Sequence, residues 1–408
     1  VTGVRDAVAD AHRREWARVL AATVRVTRDL DLAEECVQDA YAAALDSWAR
    51  DGVPDRPAAW LTTAARHNAL DALRRAATLR AKLPLLVEPA ADSPVADDPL
   101  RLVFLCCHPA LSAEAQVALT LRLVCGVPTP DVAAAFLVPP ATMAARITRA
   151  KKKIAAARIP FRMPAPAERP ERLDAVLTTI HLLFTTGHTA PSGESLMRVA
   201  CAERALELAR LLRELVPDSR EVRRLLALLL AGHARRATRT DGTGRLLLLS
   251  EQDRSRWDRA ALAEADELVV TSLRGGPPGR FALQAAIAML HASAPSYEAT
   301  DWPQILVLYD ELAKVWPSPV VAPNRAVAVA MVDGPAQALA EVTALEGDRR
   351  LSGYHYLPAI KADLLRRLGR PVEAAAAYEH ALRLTENEAE RVFLADRLAE
   401  MREMSAPG

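Results

Sequence analysis

The chain of 408 residues carries 52 Lys and Arg against 51 Asp and Glu, a net charge of +1, with 51% apolar and 25% charged residues. That balance excludes a wholly disordered chain, and the length allows two to four domains. Arg, Asp or Glu interrupts every apolar run before the roughly 18–20 residues that a membrane span needs. The first residues lack a signal peptide's apolar stretch, and five cysteines form no paired framework. A cytoplasmic protein with no membrane partner is expected.

Ala, Leu and Arg dominate, aromatics make up only 4%, and β-branched residues rarely alternate with polar ones. These features predict an all-α fold. The first strong helical pattern has Ala33, Val37, Ala40, Tyr41, Ala44, Leu45 and Trp48 on one stripe, with Glu34, Glu35, Gln38, Asp39 and Asp46 opposite. A loop over residues 50–57 precedes a second helix, residues 58–75, whose end gathers Arg66, Arg74, Arg75, Arg80 and Lys82 against the single acid Asp71. Those cations serve equally as a solvated helix terminus answering the dipole or as a nucleic-acid contact. Trp60 reads better as core than as a stacking platform.

Residues 83–99 hold Pro84, Pro89, Pro94 and Pro99 with four acids and no base, an acidic linker. Ser112 then reads as the N-cap of a helix running to Gly126, and Thr129-Pro130-Asp131 as the start of a short one. A long helix begins near Ala141, with Met143, Ile147, Ala150 and Ile154 on one stripe. Residues 141–162 contain seven Arg and Lys, among them the adjacent Lys151, Lys152 and Lys153, and no acid. A short helix, a tight turn and a long basic helix make a helix-turn-helix. Thr142, Ala145, Arg146 and Arg149 lie away from the apolar stripe, where small side chains permit close approach to bases and guanidinium groups reach guanine or phosphate. Lys152 and Lys153, with Lys151, suit phosphates further along.

These pieces resemble a known family. Residues 33–45 (AEECVQDAYAAAL) and 60–75 (WLTTAARHNALDALRR) resemble region 2 of bacterial sigma-70 family factors of the extracytoplasmic-function type, and residues 111–154 resemble their region 4. The FLCCHPALS and AARIPFRMP phrases are most similar to the subgroup with a tetratricopeptide-like C-terminal extension, associated with DGPF (YCII-related) proteins. The resemblance implies region 2 over residues 1–82, an acidic Pro-rich linker over 83–104, region 4 over 105–160, a second linker over 161–171 and the extension over 172–408. It implies binding to core RNA polymerase through Glu34, Glu35, Gln38 and Asp39. Contact with the −10 element would fall to Asp51, Arg56, Asn68, Asp71, Arg74 and Arg75, and contact with the −35 element to Thr142, Ala145, Arg146, Arg149, Lys152 and Lys153. The linker would then thread polymerase channels, a plain tether being the equal alternative.

In the extension, Leu368-Gly369-Arg370, Tyr378 and Ala381 fit a tetratricopeptide spacing, and Gly334 and Gly369 lie 369 − 334 = 35 residues apart. Such arrays offer a surface for a regulatory protein or peptide. The resemblance further implies that the extension packs on region 2 or region 4 and controls it, although Thr185-Thr186-Gly187-His188 departs from the subgroup's phrase at that point. Residues 252–258 mix charges around Trp257, as a regulatory contact or, better, a buried ion-pair brace between two repeats would. Cys106-Cys107-His108 lacks a second pair at ligand spacing, so buried thiols are expected rather than zinc. No catalytic motif or cofactor is expected. A helix-turn-helix regulator with a repeat sensor, acting without polymerase, is the alternative.

Overall fold

The computed structural model describes residues 2–79, 98–136, 138–273 and 276–405. Among these residues there are eighteen α-helices, one short two-stranded parallel sheet and an isolated antiparallel bridge between Thr240 and Leu246. The expected linker, together with Arg80 and Lys82, lies largely outside the described residues. The chain divides into two compact units, residues 1–183 and 184–408.

In the first unit α1 (Thr2–Thr27), α2 (Leu30–Asp51) and α3 (Pro57–Leu79) form a three-helix bundle. Asp29 caps α2 by accepting from the Asp31 and Leu32 amides, and Gly52 ends it at φ 83°, a left-handed conformation that suits glycine. Leu20, Ala33, Val37, Ala44, Trp48, Leu61 and Ala65 fill the bundle core. Each large side chain among them contributes about 1.5–3 kcal/mol by leaving water. Leu45, expected on the apolar stripe, is 43% exposed, whereas Glu34, expected on the polar side, is buried. Trp60 is half-buried, edge-on to Trp48 with ring centroids 5.7 Å apart.

Next come α4 (Asp98–Cys106), α5 (Ala113–Leu123), α6 (Thr129–Ala135) and α7 (Pro140–Ala156). The sequence extends the linker to residue 104, but α4 already begins at Asp98, because Leu100, Leu102, Val103, Phe104 and Leu105 are all buried. Ser112 caps α5 as expected, accepting from the Ala115 amide. Thr129 is the first residue of α6 rather than its cap, since the Asp131 and Val132 amides already donate to Pro128. The expected second linker is pinned: Arg162 makes two 2.9 Å bonds to Glu168, whose carboxyl is lowered to about 2 chiefly by those bonds. The helix α8 (Arg169–His188) then begins, and its residues through Leu183 belong to the first unit. Thr179 Oγ1 lies 3.5 Å from Cys107 Sγ, so the first part of α8 packs within the first compact unit, which ends at Leu183, beyond residue 172 where the extension was expected to begin.

The second unit is a succession of helix pairs: α9 (Val199–Leu215), α10 (Arg220–His233), α11 (Arg259–Leu273), α12 (Arg280–Ser293), α13 (Trp302–Val315), α14 (Val321–Val332), α15 (Pro335–Leu345), α16 (Tyr356–Arg367), α17 (Pro371–Leu384) and α18 (Glu388–Ser405). Gly334 (φ 94°) turns α14 into α15, and Gly369 (φ 70°) turns α16 into α17. The repeated glycine thus marks a repeated left-handed turn. Tyr378 and Ala381 are buried in the α16–α18 core. Near the unit's start, Ser192 and Gly193 pair in parallel with Glu386 and Asn387 near its end, and Asn387 Nδ2 donates to Ala190 O and Ser195 O. Gly187 is fixed by close packing, as a Cβ there would lie 2.4 Å from the Ala202 backbone nitrogen.

Candidate nucleic-acid interface

The rotation of α7 is set by its buried stripe of Met143, Ile147, Ala150 and Ile154. With that face inward, Thr142, Ala145, Arg149, Lys152 and Lys153 are exposed along one basic surface. Arg149 Nε donates to Ala145 O one turn back at 3.3 Å. Arg146 is less free: its guanidinium lies 3.5 Å from Glu114 and 5.8 Å from the Phe136 ring centroid. Those two contacts hold α7 to the segment before it and leave the Arg146 side chain only 22% exposed.

The residues expected to meet the −10 element lie at and beyond the α2–α3 turn. Asp51 is the last residue of α2 and accepts from Ser47 Oγ at 3.2 Å, while Arg56 is exposed just before α3. Asn68 is half-buried and donates to Cys36 O at 3.1 Å, which ties α3 to α2. One turn on, Asp71 and Arg74 pair at 3.2 Å on the exposed side, with Arg75 exposed beside them. Asn68 therefore braces the bundle, and Asp71, Arg74 and Arg75 form its accessible polar edge.

The residues expected to meet the polymerase are divided. Glu35, Gln38 and Asp39 share an exposed face of α2, but Glu34 points into the unit. Its Oε2 is 2.5 Å from Lys151 Nζ and its Oε1 is 2.5 Å from Arg122 Nη2. Lys151 also reaches Asp31 Oδ1 at 2.9 Å. Burial alone would lower the Lys151 pKa, but its hydrogen bonds and attraction to Glu34 and Asp31 outweigh this and hold it above lysine's ordinary value. Arg122 lies 5.9 Å from the Trp16 ring centroid, and the Trp16 indole donates to Leu123 O at 3.0 Å. A Cβ on Gly126 (φ 63°) would come within 3.2 Å of His12. The helices α5 and α7 are thus latched onto α1 and α2. Lys151, grouped in sequence with the exposed Lys152 and Lys153, is spent on this latch.

Cys106 and Cys107 are buried, and desolvation pushes both thiols up, that of Cys107 to about 11. No described helix is long and apolar enough to cross a membrane. Around Trp257 the structure corrects the expected ion-pair brace. Arg254 lies over the indole at 4.8 Å and donates to Ala294 O at 2.9 Å, so the brace is built from a cation on a ring and backbone carbonyls.

Comparison with known families accounts for this arrangement. Residues 9–78 match the model of sigma-70 region 2, residues 101–154 that of sigma-70 region 4, and residues 172–273 a family of unknown function, DUF6596. The chain is 42% identical over 389 residues to an uncharacterized protein, R00370, of Rhizobium meliloti (strain 1021), covering 92% of each. No solved structure matches. With a region 2 bundle followed by a region 4 whose helix carries an outward basic face, the chain belongs to the sigma-70 family, whose members recognise promoter DNA as partners of core RNA polymerase.

Proposed function

We propose that this chain is an alternative sigma factor of the extracytoplasmic-function type, non-catalytic by itself, in which a tetratricopeptide-like extension controls initiation. The observation that carries the reading is the acid-free α7, rotated by its apolar stripe so that Thr142, Ala145, Arg149, Lys152 and Lys153 face outward, on a chain that also carries the region 2 bundle. In this reading Glu35, Gln38 and Asp39, joined by Glu34 once it is released, dock on the polymerase. Asp51, Arg56, Asn68, Asp71, Arg74 and Arg75 line the path of the melted −10 strand. Capture of an unpaired base costs a few kcal/mol of unstacking, which these contacts must offset. Arg146, held by Glu114, orients the −35 helix and contacts DNA from its free edge. Run-off transcription with purified core polymerase tests the reading: initiation from a cognate promoter is expected, whereas promoter binding without initiation would support the polymerase-independent regulator.

Two further outcomes follow from the same geometry. Arg149→Ala weakens duplex binding and lowers the slope of log K against log salt by about 0.9, the loss of one phosphate contact; an unaltered slope in a fluorescence-anisotropy titration counts against that role. Removal of the extension by a cut after Leu183 changes transcription from the cognate promoter, and unchanged output would remove its controlling role. A cut after Pro164 is unsuitable, because it also strips Val176, Leu177 and Ile180 from the first unit.

A further inference from the structure

In the second unit Arg235, Arg239 and Arg254 gather near Trp257. Trp257 is buried, and its indole donates to Thr238 Oγ1 at 2.9 Å. Two guanidinium groups share this indole, Arg254 at 4.8 Å and Arg235 at 5.7 Å from its centroid. Arg254 is anchored through Nη1 to the His291 and Ala294 carbonyls, while its Nη2 is buried without a partner. Arg239, one turn beyond Arg235, donates to His188 O and, at 3.1 Å, to Thr189 Oγ1. Arg235 itself has no hydrogen bond and no carboxylate for its side chain among the described residues; beyond the indole, its charged neighbours are other cations.

Glu298 attracts Arg254 and Glu390 attracts Arg239, which leaves Arg235 as the arginine of the three with no acid acting on it among the described residues. Glu390 accepts from Tyr356 Oη and Thr385 Oγ1 and lies 3.2 Å from His355 Nε2. Burial and the charge of Arg254 pull Arg235 down to about 10, and burial with the charges of Arg235 and Arg254 takes His291 to about 4. An uncompensated cation in such surroundings is costly, and an anion removes that cost. Arg235, Arg239 and Arg254 are all half-buried, so each keeps part of its surface open to solvent. Planar guanidinium forks suit carboxylate and phosphate oxygens.

We propose that Arg235 and Arg254, gathered on the Trp257 indole with Arg239 one turn along, bind a small ligand bearing a carboxylate or phosphate group. The site lies wholly within the second unit and does not depend on the sigma-factor assignments. The test uses the full chain, titrated with inorganic phosphate and separately with acetate against sodium chloride of equal ionic strength, by calorimetry and thermal unfolding. Saturable heat and a raised midpoint are expected with at least one anion, and which of them acts identifies the ligand group. Arg235→Gln lowers the apparent affinity at least tenfold, and Arg383→Gln, exposed near the end of α17, leaves it unchanged. No saturable response to either anion, or an undiminished response in Arg235→Gln, overturns the proposal. Arg235→Met separates binding from bracing: in chloride alone its midpoint equals or exceeds that of the wild type, because it removes an unpaired charge. A fall in that midpoint would make Arg235 a structural brace and sink the site.

Discussion

Glu34→Ala lowers the stability of the first unit by about 3 kcal/mol, the low end of what removing one partner of a buried ion pair costs. The Glu34, Lys151 and Arg122 side chains are only 10%, 11% and 21% exposed, so solvent screens their attraction poorly. Without the carboxylate, Lys151 keeps Asp31 and Arg122 keeps the Trp16 face, which places the loss at the low end. In a unit of this size the thermal midpoint falls by roughly 6–12 °C. Exposed Glu35→Ala changes stability by at most about 0.5 kcal/mol. Replacing the triad together, Glu34→Leu with Arg122→Leu and Lys151→Met, restores most of the loss, since apolar residues of similar volume commonly match a buried ion pair. Equal midpoints for Glu34→Ala and Glu35→Ala would show that the triad contributes nothing.

The helical fold and the orientation of α7 were legible in the sequence because both depend on local spacing. Four apolar residues one or two turns apart can face only one way, and acid-free flanks mark the opposite face. Glu34 was not legible. Its residue type and its neighbours Glu35, Gln38 and Asp39 place it on a polar face, and its burial depends on Arg122 and Lys151, which lie 88 and 117 residues away. The start of α4 was hidden for a different reason: prolines and acids just upstream read as linker, and the apolar residues that make the helix follow immediately. In the second unit, Trp257 stood out among charges, but Arg235 lies 22 residues before it with no periodic pattern to connect them. Local signals therefore gave the elements, and long-range charge pairing decided which polar residues are free to bind.

That distinction bears directly on initiation, where locking the latch is expected to lower transcription at least tenfold. By their names the −10 and −35 elements lie about 25 base pairs apart, roughly 85 Å along B-form DNA at 3.4 Å per base pair. In the latched unit a short path joins the two proposed DNA-contact groups: Asn68 bonds Cys36, whose near neighbour Glu34 bonds Lys151, two residues from Arg149. Side-chain and backbone dimensions limit that path to about 30 Å. With the proposed contacts, the latched unit cannot occupy both elements, so initiation would require region 4 to leave region 2, which would also free Glu34 for its proposed polymerase contact. A chain with Asp31→Cys and Lys151→Cys, and with the half-buried Cys125 and Cys201 changed to Ser, can be joined by a short bis-maleimide linker across the 2.9 Å ion-pair position. The linked protein is expected to lose at least tenfold in run-off transcription from a promoter carrying both elements, while the same chain treated with a monofunctional maleimide keeps its activity. Linked protein that initiates as well as the monofunctional adduct would mean that the latch does not have to open.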